Sequence, residues 1–170
     1  MKGKLSFLSV ALVVLIADQV TKAWATASLK PVGSIEVIPN FFRLSYALNR
    51  GVAFSLFSES PFDLRWVLAA ISALAATLVL GYLVRAQNPK AIAGISLALL
   101  LSGIAGNLLD RIRLGEVVDF LDFHLGTAFT WPTFNIADSA ICVGAALLAI
   151  HLMREERAER ARSATQIVNQ

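Results

Sequence analysis

Residues 133–153 read TFNIADSAICVGAALLAIHLM, an apolar run interrupted by one carboxylic acid, Asp138. An ionised Asp deep in a bilayer costs about 2.5 to 3.5 kcal/mol on insertion scales, and less near an interface. A second acid in apolar company, Asp119, stands in VVDFLDF at 117–123. Two carboxyl groups brought together at a partly dehydrated site can share a proton. One then acts as a base towards water and the other as an acid towards a carbonyl oxygen or a leaving amine. Asp138 also lies near the start of a helix, whose dipole favours the ionised form. No basic residue falls within a turn of it.

Other polar residues recur at helical spacing. Asp18 and Lys22 are four apart and can pair; Asn107 lies three and four residues before Asp110 and Arg111; Asn135 lies three before Asp138. Such spacings place the members of each set on one helix face. For Asp18, beside Lys22, and for Asp110, beside Arg111 and Arg113, capping or pairing competes evenly with a chemical role. Asp119, Asp122, His124 and Asp138 could instead ligate a divalent ion. The chain has only two histidines, however, and no HExxH or paired-cysteine spacing, so no metal and no cofactor are expected. There is no G-x-S-x-G, and Cys142, one turn from Asp138, has no histidine beside it, which disfavours a serine or cysteine nucleophile.

These residues need elements to position them. The chain has 170 residues, of which 56% are hydrophobic and 16% charged, and its mean hydropathy is +0.66. A soluble domain carries roughly a quarter charged residues. Four stretches, 5–25, 66–84, 91–109 and 136–153, are long enough to cross a hydrocarbon core of about 30 Å as helices. The first contains Asp18 and the fourth Asp138, while the second and third carry no charge. The start, MKGKLSFLSVALVVLIA, resembles a secretory leader, but the charges in DQVTK at 18–22 argue for a retained span. The tail at 154–162, REERAERAR, mixes both signs and reads as a solvated continuation of the fourth helix. A net charge of +3 without a basic cluster interleaved with aromatics does not suggest a nucleic-acid partner, and none is expected; the single cysteine excludes an internal disulfide.

Orientation follows from the basic residues. Lys2 and Lys4, Arg85 and Lys90, and Arg154, Arg157, Arg160 and Arg162 crowd three short flanks, which the positive-inside rule makes cytoplasmic. Raw counts, eight inside and seven outside, decide little; the density in short flanks does. Both termini are then cytoplasmic. The polar residues of spans one, three and four gather at the outer face, where intramembrane polar groups turn to the bundle interior. The expectation is a single integral membrane domain, 1–170, with one polar site enclosed by helices one, three and four.

The fold class expected is an all-α membrane protein: a four-helix transmembrane bundle with a small extracytoplasmic β-sheet and a second outer loop or helix. Residues 34–57 alternate with period two, Leu44, Tyr46 and Leu48 and then Val52, Phe54 and Leu56 on one face, which predicts two or three short strands. The second outer segment, 110–135, is expected as a loop or helix. Its Phe129, Trp131 and Phe134 fit an interfacial aromatic belt better than a substrate-stacking role.

A channel or transporter would carry polar residues through the depth of its spans, and spans two and three do not; no inverted repeat is visible either. A scaffold would not need several acids and asparagines at one depth.

Five blocks then stand in order: DQVTK (18–22), NRGVAFS (49–55), GIAGNLLDR (103–111), VVDFLDF (117–123) and FNIADS (134–139). On a four-span chain of this length they resemble the bacterial lipoprotein signal peptidases, the type II signal peptidases, over nearly the whole chain. The resemblance implies an aspartic endopeptidase of the bacterial inner membrane. Such an enzyme removes the signal peptide of a prolipoprotein just before a diacylglyceryl-modified cysteine. It implies Asp119 and Asp138 as the catalytic pair, with Asn107, Arg111 and Asn135 as supporting residues and Asp18 and Asn49 as residues that stabilise the site or contact substrate. It also implies a scissile bond near the periplasmic face, membrane lipid around the chain and action as a monomer. The third block departs from the family's usual opening pair of glycines: Ser102 precedes Gly103. Serine is small enough for close helix packing to survive.

Overall fold

The computed structural model describes residues 2–51, 65–86, 89–126 and 128–168. Its elements run α1 (Lys2–Ser28), β1 (Ser34–Ile38), β2 (Phe42–Asn49), α2 (Arg65–Arg85), α3 (Ala91–Arg113), β3 (Val117–Leu125), β4 (Phe129–Thr130) and α4 (Ile136–Val168). Each of the four helices is long and apolar enough to cross a membrane. Their outward faces expose Leu12, Val13, Ile71, Leu74 and Leu78. That suits a solvent of hydrocarbon, in which a helix satisfies its own backbone and has no need to hide apolar side chains.

α3 is the central helix, packed against the other three. Of its most apolar window 44% is buried, against 28% for α4 and 11% each for α1 and α2. Its buried face is built from small residues, among them Gly94, Ser96, Ala98, Ser102, Gly103 and Gly106. Without a hydrophobic drive in lipid, helices associate by close backbone approach, which small residues permit. Gly103 shows the need for this, because a Cβ there would collide with the carbonyl oxygen of Ala137 on α4. Ser102 is buried and returns its hydroxyl to Leu99 O at 2.8 Å, so the serine in place of a glycine costs the packing no unpaired group.

The strands form one antiparallel sheet in the order β1-β2-β3-β4 at one end of the bundle. It docks on α1, where Val118 and Phe120 of β3 pack with Ala25 and Leu29. Within the sheet Ala47 faces Asp119 and Asn49 faces Val117. The bundle-plus-sheet architecture agrees with the sequence reading, with one difference. Residues 117–125 and 129–130, expected as a loop or helix, are strands of the same sheet as 34–49. Period-two alternation is absent from VVDFLDFHL because β3 is covered on both faces; Val117 through Phe120 are buried without interruption. A strand buried on both sides shows no polar–apolar alternation. The expected strand at Val52, Phe54 and Leu56 lies outside the described residues.

α3 continues past the apolar run through Asp110, Arg111 and Arg113, and α4 continues past it through the charged segment 154–162 to Val168. At the end of the bundle away from the sheet, Lys4 Nζ donates to Val84 O at 2.6 Å and Lys90 pairs with Glu155 at 2.5 Å.

Candidate active site

Asn135 begins the site because it begins α4. Its Oδ1 accepts the backbone N–H of Asp138 at 2.9 Å and its carbonyl accepts that of Ser139 at 3.2 Å. It is therefore the N-cap, satisfying a donor that the first turn of a helix leaves open. Asp138 is the third residue of the helix and 2% exposed. Its Oδ1 accepts the Asn107 amide at 2.7 Å, while its Oδ2 is buried with no partner.

Asp119 arrives from the sheet. Strand alternation turns Val118 and Phe120 to α1 and Asp119 to the other face. There its Oδ1 accepts Asn135 Nδ2 at 2.6 Å and its Oδ2 accepts Asn49 Nδ2 at 3.0 Å. Asn49, the last residue of β2, is held by Gly51 N–H donating to its Oδ1 at 2.8 Å. Asn135 Nδ2 also lies 3.3 Å from Asn107 Oδ1. The two acids are thus joined by two amides: Asn135 donates to Asp119, Asn107 donates to Asp138, and the amides touch each other.

Beneath this pair lies an ionic cluster. Lys22 on α1 sits 3.0 Å from Asp18, 2.9 Å from Asp110, and donates to Asn107 Oδ1 at 2.9 Å. Gln19 donates to both Asp18 and Asp110, at 3.2 and 3.1 Å. Asp18 Oδ1 accepts the backbone N–H of Ala137 at 2.8 Å, and Asp110 Oδ2 accepts that of Val118 at 3.2 Å. Arg111 donates to Gly51 O at 2.6 Å and to Asn107 O at 3.4 Å, and its Nε is buried without a partner. Asn107 and Arg111 line a cavity of about 210 Å³ between α2, α3 and α4, with Leu68, Ile71, Ser72, Ile104 and Ile141 as its apolar walls.

Four acids, Asp18, Asp110, Asp119 and Asp138, here face two bases, Lys22 and Arg111, all of them buried. Fully ionised, the cluster would carry two uncompensated negative charges in a low dielectric, which favours retention of a proton. Burial first, and then the negative charge of Asp138, push the pKa of Asp119 up to about 7. The amide donors Asn49 and Asn135, together with Lys22, pull the other way.

The structure brings all seven residues named from the sequence, Asp18, Asn49, Asn107, Arg111, Asp119, Asn135 and Asp138, into this one network. It also adds members. Lys22 was visible only as the partner of Asp18 at i+4, yet it binds three side chains. Gln19 gave no signal, because besides its neighbour Asp18 its partners, Gly106 O and Asp110, lie on α3. Asp110 pairs with Lys22 and Gln19 rather than with its neighbours Arg111 and Arg113. The alternative metal set does not assemble: Asp122 accepts from Arg43 and Ser45 at 2.6 and 2.9 Å, and His124 meets Glu36 at 3.1 Å. Among the described residues no three His, Cys, Asp or Glu side chains gather to hold an ion.

The chain is similar to known proteins over most of its length. The family model described as signal peptidase (SPase) II matches residues 10–154. A lipoprotein signal peptidase of Geobacter metallireducens is 44% identical over 155 residues, covering 89% of this chain and 92% of that protein. One from Burkholderia mallei is 41% identical over 154 residues, covering 91% of each. Two solved structures, both described as a bacterial membrane enzyme determined by the in meso method, are similar in fold. The first, at 2.3 Å, has a TM-score of 0.77, 30% identity and 89% coverage of both chains; the second, at 1.9 Å, has 0.73, 31%, and coverage of 86% of this chain and 92% of that one. With its four membrane-length helices and this degree of match, the chain belongs to the signal peptidase II family.

Proposed function

We propose that Asp119 and Asp138 are the catalytic pair of this membrane-embedded aspartic endopeptidase. Its substrate is a prolipoprotein, cut just before the diacylglyceryl-modified cysteine. The observation that carries the reading is the amide bridge. Asn107 and Asn135 hold one oxygen of each acid and leave Asp138 Oδ2 buried without a partner. A water placed against that oxygen has a base on one side and the proton held by Asp119 on the other.

The chemistry follows from the shared proton. Asp138, ionised at a helix N-terminus, takes a proton from the water as its oxygen attacks the scissile carbonyl carbon. Asp119 gives its proton to the carbonyl oxygen, so that no free oxyanion forms. The C–N bond of the tetrahedral intermediate breaks as the proton taken by Asp138 passes to the leaving nitrogen of the cysteine, while one hydroxyl of the intermediate returns a proton to Asp119 and becomes the carbonyl of the new carboxylic acid. Asn49 and Asn135 fix the orientation of Asp119, and Asn107 fixes that of Asp138. Arg111, with a free Nε at the cavity between α2, α3 and α4, supports the substrate backbone there. Asp18, Lys22 and Asp110 hold α1, α3 and α4 in register beneath the pair. Because all these groups come from one chain, a single copy suffices for the chemistry, as one integral membrane domain surrounded by lipid.

The density of basic residues in the short flanks supports cytoplasmic termini, with the sheet and site at the periplasmic face of the bacterial inner membrane. A signal helix lying in the bilayer then presents its lipid-bearing end at the depth of the two acids.

The test is incubation of the purified protein with a lipidated precursor, wild type against Asp138→Asn. Wild type releases the signal peptide and the variant releases none. Equal turnover by the folded variant refutes the pair.

A further inference from the structure

The cavity beside Arg111 carries one polar group that the two-acid chemistry leaves unused, the hydroxyl of Ser72. Leu68, Ile71 and Ser72 of α2 face Ile104, Asn107 and Arg111 of α3 and Ile141 of α4 across this cavity. Ile141 is three residues after Asp138, so it shares a face of α4 with it and lies about 4.5 Å further from the sheet end. The cavity therefore starts at the catalytic pair and runs along the helices.

Hydroxyls in apolar helices commonly return to a carbonyl three or four residues earlier. Ser9, Thr77, Ser96 and Ser102 do so here, at 2.6 to 2.9 Å. Ser72 does not. Its hydroxyl has no partner among the described residues, and it stands at the cavity wall. It forgoes the hydrogen bond that its own helix could supply and stays open to whatever fills the cavity.

The occupant has a matching need. A peptide bond held in the hydrogen-bond ladder of a helix is shielded from attack, so the last turn of a signal helix must unwind at the cut. Unwound backbone in apolar surroundings has N–H and C=O groups without partners, and each is costly. Arg111 can answer a carbonyl only, because a guanidinium donates and does not accept; its Nε is buried without a partner. Asn107 is committed on both sides: its amide N–H goes to Asp138, and its oxygen accepts from Lys22 and Asn135. Of the described lining side chains, Ser72 is left as the one uncommitted acceptor for an N–H.

We propose that Ser72 is a substrate-binding residue: its hydroxyl oxygen accepts a backbone N–H of the unwound turn just before the scissile bond, across the cavity from the Arg111 guanidinium. The proposal rests on the peptidase reading above. It makes α2 a participant in recognition, with α2 holding an N–H and α3 a C=O of the same short segment. A contact made to backbone is indifferent to side chains, and it favours a segment that can leave the helix over one that cannot.

The experiment uses the full-length protein in nanodiscs and lipidated precursors of one sequence. In each precursor one backbone amide of the last turn before the cut is replaced by an ester, which removes a single N–H. Ser72→Ala is expected to melt as wild type does, because the resting hydroxyl has no partner to lose. On the all-amide precursor its kcat/KM is expected to fall about tenfold, the scale of one hydrogen bond whose partner is left unpaired. One ester position should cost wild type a similar factor and cost Ser72→Ala nothing further. Wild-type kcat/KM in Ser72→Ala overturns the assignment. So do ester effects that are the same in both proteins at every position. A lowered melting temperature with an equal loss on every precursor marks a packing role and overturns it too. In each of these cases cleavage by wild type leaves the peptidase reading standing; no cleavage of the all-amide precursor by wild type overturns both.

Discussion

Asp18, which directly follows the uncharged apolar run of α1, accepts the backbone N–H of Ala137, the second residue of α4, at 2.8 Å. An acid from one helix thus caps the start of another, alongside the N-cap Asn135 of α4 itself. The same carboxylate holds Lys22 through its other oxygen at 3.0 Å. Replacing Asp18 by Ala leaves a buried lysine with one acid fewer and an open donor at the start of α4. Breaking a buried ion pair costs about 3 to 5 kcal/mol. Asp18→Ala is therefore expected to lower the melting temperature substantially, with turnover lost only in proportion to unfolded protein. An unchanged melt with abolished turnover would give Asp18 a direct role in the chemistry.

Gly106 supports the same contact from α3. A Cβ at that position would come 2.5 Å from Asp18 Oδ2 and 3.2 Å from the Ala137 side chain. Overpacking of this kind costs typically 1 to 3 kcal/mol. Gly106→Ala should destabilise the protein by about that amount, and the Gly106→Ala, Asp18→Ala double variant should lose less than the sum, because the clash partner is gone. Strict additivity in thermal melts would show that the two sites are independent.

The catalytic assignment makes a sharp prediction about charge. General acid–base groups contribute about 10² to 10⁴ in rate, so Asp119→Asn and Asp138→Asn should each reduce cleavage at least about 10³-fold. Both variants should remain folded, since asparagine keeps the shape of the carboxyl. Initial rates on a lipidated precursor, beside the melting temperature of each variant, decide this. Comparable turnover in either would end the two-acid mechanism.

Asp119 also sets a pH dependence. Its folded-state pKa is raised to about 7 by burial and by Asp138, so the proton needed for the acid role is present below pH 7 and lost above it. The kcat/KM profile should fall as pH rises through about 7. Stability moves with the same sign. Between the unfolded carboxyl pKa, about 3.9, and 7 the folded state binds more protons than the unfolded one, so stability declines as pH rises across that window. Asp119→Asn cannot ionise and should melt progressively higher than wild type from pH 5 to pH 8. A difference that does not change with pH would exclude Asp119 as the group that titrates.

Chelation separates the two-acid reading from metal chemistry. The four residues that could have formed a metal set part company in the structure, with Asp122 turned to Arg43 and His124 to Glu36. Cleavage should be unaffected by EDTA. Activity lost to the chelator and restored by zinc or magnesium would reverse the assignment.

The sequence by itself determined the fold class and the gathering of the polar residues at one end of the helices. Four apolar runs leave only one way to bury the backbone in lipid, and Asp18, Asn107, Asn135 and Asp138 at matching helix ends could reach only one face. Asn135 and Asp138 were legible as neighbours three apart on one face at the start of the fourth helix, because helical spacing is local in the chain; the capping role of Asn135 was not. The tertiary structure alone decided the rest. β3 was hidden because a strand covered on both faces loses its alternation, and with it went the means by which Asp119, the only acid of the pair outside a helix, reaches Asp138. Gln19 and the triple role of Lys22 were equally silent: apart from Asp18 on their own helix, their side-chain partners Asn107 and Asp110 sit on α3, some 85 to 91 residues away. Spacing along a chain reports which side chains share a face of one helix; which faces of separate elements meet is settled only by packing.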